Sequence, residues 1–117
     1  MAQTEVRRQL QADYRQQNDR AGIFRVHDRV NQRCWLGASK DVAGALNRLR
    51  FELKLGKQRV STLQHDYTKH GYAAFDFEIL ERILQQDRPD WNLDEELKLA
   101  LSLWHAESAK TMLSHLL

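Results

Sequence analysis

Three short segments of the chain alternate apolar and polar positions, and longer stretches repeat apolar residues every three or four. Gly22–His27 and Cys34–Gly37 read as two strands joined by a turn around Val30, Asn31 and Gln32. In Ala73–Leu80, Phe75, Phe77 and Ile79 alternate with Asp76 and Glu78, as in a strand with one wet face. Between them, Val42, Ala45, Leu46, Leu49 and Leu53 follow a helical period. Ser39 or Asp41 stands where a cap belongs, and Gly56 lies just past the expected end at Leu55. A second helix, from about Val60 to His70, carries Leu63 and Tyr67 on one side and stops at Gly71. Asn92 and Glu95 have capping-box-like spacing ahead of a long C-terminal helix. Residues 3–18 are polar and Gln-rich, with a thin apolar face around Leu10 and Tyr14, and predict a short exposed helix. The pattern amounts to an α+β domain, residues 21–117, preceded by a helical extension over 1–20. A small three-stranded antiparallel sheet would be covered by helices.

A chain of 117 residues makes one domain and can bury a core without disulfides. Its one cysteine, Cys34, excludes an internal bridge and suits a reducing, cytoplasmic setting. No apolar run reads as a signal peptide or a membrane span. The net charge of +2 conceals a split. Residues 1–70 hold 14 Lys/Arg and 7 Asp/Glu, and residues 71–117 hold 4 and 9. A basic front half could follow phosphates, or the two halves could simply attract each other within one globule. The five histidines lack ligand-like pairing, so no zinc site is expected.

Several blocks occur in a telling order: Gly22-Ile23-Phe24, Trp35-Leu36-Gly37, "GASKDV" from Gly37, "NRLRFELKLG" from Asn47, and "LQHDYTKHG" followed by "FDFEILE". Together they resemble the GIY-YIG nuclease superfamily from Gly22 to about Glu81. The resemblance implies a single-metal phosphodiesterase site. It would contain two hairpin tyrosines, an arginine and a histidine or tyrosine on the first helix, and a late glutamate holding Mg²⁺. Carried over by position, those places fall on Phe24, Trp35, Ala45, Leu49 and, at a looser alignment, Leu101. Phenyl and methyl groups neither accept a proton nor stabilise charge on a phosphate, and indole offers one donor and no acceptor. Losing one preorganised donor alone costs ~10²–10³ in rate.

The expected function is therefore that of a nuclease-like domain without nuclease chemistry and without a cofactor, acting as a nucleic-acid-binding or protein-interaction module. Arg25, Arg33, Trp35, Lys40, Arg48, Arg50, Lys54, Lys57 and Arg59 are the candidate contacts to DNA or RNA. One alternative is an active Mg²⁺-dependent, structure-specific endonuclease with a displaced site near Glu95, Glu96, His65 and Asp66. Another is a purely structural protein. Apolar stripes through Leu93, Leu97, Leu101 and Trp104, and through Leu99, Leu103, Ala106, Leu113 and Leu117, exceed what one helix needs to bury. That surplus predicts a homodimer through the last helix.

Overall fold

In a computed structural model of the chain, residues 4–10 and 20–117 are described. Residues 4–10 form an exposed helix, α1, and the remainder of the helix expected over 3–18 lies outside the described residues. Strands β1 (Gly22–Asp28) and β2 (Arg33–Ser39) make the expected hairpin. Its turn is held by Asp28, fully buried, whose carboxylate accepts from the backbone N–H of Val30 (3.0 Å) and Asn31 (3.3 Å) and from the Asn31 amide (3.0 Å). Bonding of this kind gives a short acidic side chain its preference for turns.

Helices α2 (Val42–Lys54) and α3 (Ser61–His70) follow, then a short 3₁₀ turn, Tyr72–Ala74, and β3 (Phe75–Arg82). Of the two candidate caps of α2, Asp41 is the one that acts, and Ser39 braces it. Asp41 accepts from the Gly44 N–H, and Ser39 accepts from the Asp41 N–H. Gly71, at φ 82°, closes α3. Helix α4 (Leu93–Ser108) starts at Asn92, whose side chain accepts from the Glu95 N–H at 3.1 Å.

Beyond α4 the expectation fails. The last helix does not run through Leu113 and Leu117. It ends at Ser108, and Leu113–Leu116 form a fourth strand, β4, parallel to β2. The sheet is therefore four-stranded and mixed, in the order β3-β1-β2-β4, rather than three-stranded and antiparallel. Leu113 N–H donates to the Gln32 carbonyl and Leu117 N–H to that of Leu36, so β4 satisfies an edge that would otherwise stand open. No helix among the described residues is long and apolar enough to cross a membrane.

Both sheet faces are covered. Phe24, Val26, Trp35 and Phe75 point to one side and pack with Val42, Leu46, Leu49, Leu53 and Leu63 of α2 and α3. Ile23, with Ala21 and Ile83, packs on the other side against Leu97 and Ala100 of α4. The polar side of β3 is not wet along its whole length: Glu78 is paired with Arg25 at 2.7 Å, and Asp76 with Arg29 at 3.4 Å.

Gly37 lies opposite Phe24 in the hairpin register, and a Cβ there would stand 2.5 Å from the ring's Cζ and 2.8 Å from Cε1. The ring thus occupies the space a side chain would need. Gly37→Ala should cost about 1–3 kcal/mol through overpacking. The measurement is the urea midpoint at unchanged m-value. Combining it with Phe24→Leu should recover part of the loss, because the two residues share one space. Cys34 is buried in β2, and its thiol is pushed above the ordinary cysteine range by burial, partly offset by the Ser114 side chain. It should resist iodoacetamide in the folded protein at neutral pH and react once the chain is unfolded, as mass spectrometry would show.

Candidate functional site: a cleft beside helix α2

Asp41, Gly44, Ala45, Arg48, Leu49 and Glu52 fall at intervals of three and four residues, along one side of α2. That side borders an open cleft of about 320 Å³. Phe24, Ala45, Leu49 and Leu117 supply its apolar lining, and Arg48, Glu52, Gln58 and Arg59 its polar lining. A second recess of about 230 Å³, bordered by Ser39, Asp41 and Gly44, shares Ala45 and Arg48 with the first. The two form a trough from the helix cap to the loop after the helix.

The geometry follows from the elements described above. Phe24 is 6% exposed, its ring lying over Gly37. Leu49 is likewise 6% exposed and belongs to the core below α2. Leu117 arrives only because β4 pairs with β2. The loop carrying Gln58 and Arg59 is braced. Gln58 N–H donates to the Gln64 side chain (3.1 Å), Gln58 Oε1 accepts from the Val60 N–H (3.2 Å), and Gln58 Nε2 donates to Glu52 Oε2 (3.3 Å). Among the described residues, neither Arg48 nor Arg59 makes an ion pair. Two guanidinium groups thus border the cleft without a carboxylate partner.

The residues expected to contact nucleic acid divide into groups. Arg48 and Arg59 line the cleft. Arg50 and Lys54 lie on the other flank of α2, with Arg50 Cζ 4.8 Å from the Phe77 ring centre and Lys54 Nζ 6.0 Å from that of Tyr72. Tyr72 and Phe77 stack at 6.0 Å, so cations and rings alternate there. Lys57 is exposed in the loop. Lys40 is exposed and reaches Asp94 at 3.5 Å.

Three others are engaged within the fold. Arg25 faces α4, held by Glu78 and by Ser108 Oγ at 3.0 Å. Arg33 is paired with the buried Asp66 of α3. Trp35 is 1% exposed and stacks on His115 at 5.7 Å, because its strand is covered by α2 and α3. No ring so enclosed can stack on a base. Glu52, Gln58 and Leu117 were missed in the sequence. The spacing of Ala45, Arg48, Leu49 and Glu52 carried a signal for the first, whereas the other two reach the cleft through tertiary packing.

A divalent ion of the Mg²⁺ kind needs several oxygen ligands. Among its lining side chains the main cleft offers one carboxylate, that of Glu52, while Asp41 in the adjoining recess is engaged as the cap of α2, and the positions indicated by the family resemblance are Phe24, Ala45 and Leu49. Leu101 packs with the Ile23 cluster, on the opposite sheet face. Glu95 and Glu96 sit in the first turn of α4, outside the cleft lining. The donor set does not fit the metal. Among the described residues, one group of three ligand-type side chains comes together: His27, Asp76 and Glu78, with ligand atoms within 4.8 Å. Both of its carboxylates already face arginines.

No protein-family model matches the chain, and no curated protein sequence does. Solved structures do. The catalytic domain of the homing endonuclease I-TevI superposes with a TM-score of 0.62 at 23% identity, over 80% of this chain and 96% of that one. A mutant form of the same domain, described as that of an intron endonuclease, gives 0.60 at 24% identity, over 76% and 84%. With its hairpin, its helix-flanked sheet and its cleft beside α2, the chain has the GIY-YIG nuclease-like fold.

Proposed function

We propose that this domain binds nucleic acid through the α2 cleft and does not cleave it. The observation that carries the reading is the composition of the cleft: two arginines that make no ion pair among the described residues, above a floor of Phe24, Ala45 and Leu49. Hydrolysis of a phosphodiester needs a proton acceptor for water and charge stabilisation on the non-bridging oxygens, and the resemblance to GIY-YIG nucleases implies a metal as well. The floor supplies neither acceptor nor ligand. Arg48 lies one turn beyond Ala45 on the same side of the helix, so a cation still borders the cleft although Ala45 carries none. Phosphates can therefore be held where they are not attacked. Arg50, Lys54 and Lys57 extend the positive surface around the helix and its following loop.

An exposed apolar surface favours a second, separate property. Leu99 and Leu103 of α4 are 55% and 62% exposed, and Leu103 and Trp104 line an open depression beside Glu81 and Glu107. We propose that this side of α4 pairs two copies of the chain. Leu113 and Leu117 take no part in such a helical stripe, since they belong to β4 and the chain end.

Binding to a short DNA should weaken as salt rises, with a log–log slope of about −0.7 to −0.9 per phosphate neutralised. Arg48→Gln and Arg59→Gln should each reduce the slope by about one such contact. Absence of binding at ~50 mM salt, or a flat titration, rejects the proposal. Incubation with Mg²⁺ and branched, single-stranded or duplex DNA should leave the substrates intact. Metal-dependent cutting abolished by Glu96→Gln rejects the non-catalytic reading. In sedimentation equilibrium the chain should behave as a dimer, and Leu99→Lys with Leu103→Lys as a monomer. A wild-type monomer at high concentration rejects the pairing.

A further inference from the structure

A carboxylate on the wall of a site for a polyanion is a liability unless it faces hydrogen-bond donors. Glu52 is such a carboxylate. It stands one turn beyond Arg48 and borders the same cleft. It is half-buried, and among the described residues it makes no ion pair with Arg48 or Arg59. Among the described residues its side chain accepts from the neutral Gln58 amide, 3.3 Å from Oε2. Gln58 is itself tied to Gln64 and Val60, and the Lys57 N–H donates to the Glu52 carbonyl at 2.8 Å. The acid is thus held in place by its own loop, with acceptor capacity to spare.

We infer that the cleft receives one unpaired guanine of a nucleic-acid strand, the Glu52 carboxylate accepting from the base's Watson–Crick edge. The inference deepens the nucleic-acid reading above and rests on it. Guanine alone among the common bases places two donors, N1–H and the 2-amino group, side by side on that edge. They match the two oxygens of a carboxylate. Adenine and cytosine set their amino group beside a ring nitrogen lone pair, which a carboxylate repels. Thymine and uracil set one N–H between two carbonyls. The rest of the cleft suits the same ligand. Phe24, Ala45 and Leu49 give an apolar floor for a base, and Arg48 and Arg59 stand where flanking phosphates would run. A volume of about 320 Å³ admits a single nucleotide, not a duplex. In a duplex the Watson–Crick edge is occupied, so the base must come from a single strand, a bulge or a frayed end.

Fluorescence anisotropy at low salt with labelled oligothymidylates tests this. The probes carry one central guanine, hypoxanthine or adenine. Hypoxanthine keeps the N1–H and lacks the 2-amino group. The guanine probe should bind about tenfold tighter than either of the others, within the range a bidentate base contact confers. Glu52→Gln should bring the three probes to one affinity, because its amide NH₂ would confront a donor. Equal, salt-sensitive binding of all three by the wild-type chain overturns the guanine assignment and leaves the nucleic-acid reading standing. A guanine preference that survives Glu52→Gln overturns the role of Glu52. Failure of every probe to bind at ~50 mM salt overturns both readings together. Should the variant not fold, the hypoxanthine comparison on the wild-type chain decides alone.

Discussion

The seating of the Phe24 ring in the space left by the missing side chain of Gly37 governs the cleft. The antiparallel register of β1 and β2 sets these two residues side by side, and only a residue without a side chain leaves room for the ring. Once there, Phe24 closes the floor between the hairpin and α2, and Leu49 and Leu46 pack up to it. Burying a side chain of this size contributes about 1.5–3 kcal/mol, a substantial share of a small domain's margin. The same group that stabilises the hairpin thus denies the cleft a polar floor. Stability and chemistry compete for one position, and here packing occupies it.

Much of this was legible locally. Strands β1, β2 and β3 announce themselves by alternation and helices α2 and α3 by period, and Asp41, Asn92 and Gly71 act at the ends where their types belong. Strand β4 was not legible. Leu113 and Leu116 sit at a spacing that also fits a helix, and what makes them part of a strand is pairing with β2, more than seventy residues earlier in the chain. Period alone carries no information about so distant a partner. Trp35 shows the same limit. Its strand was apparent, but whether an indole on a small sheet faces solvent or a helix depends on what covers the sheet. The cleft was half legible: the spacing from Ala45 to Glu52 marks one side of α2, while Gln58 and Leu117 join through a loop and a strand that fold back onto it.

The charge split of the chain resolves into two functions in different places. Among the described residues, arginine and lysine side chains of the basic front half pair with carboxylates of the acidic back half: Arg25 with Glu78, Arg29 with Asp76 and Lys40 with Asp94. The first is partly buried and hydrogen-bonded further to Ser108, whereas the third is exposed at both ends and contributes little. These pairs consume much of the balance between the halves near β1, β3 and the start of α4. They leave Arg48, Arg50, Lys54, Lys57 and Arg59 as a concentration of positive charge on α2 and the loop after it, with Glu52 as the one acid in that span. Mutual attraction of the two halves and an outward-facing basic surface are therefore not competing accounts of one composition. The first assembles the fold, and the charge it does not neutralise is gathered around the cleft, where an anionic strand would meet it.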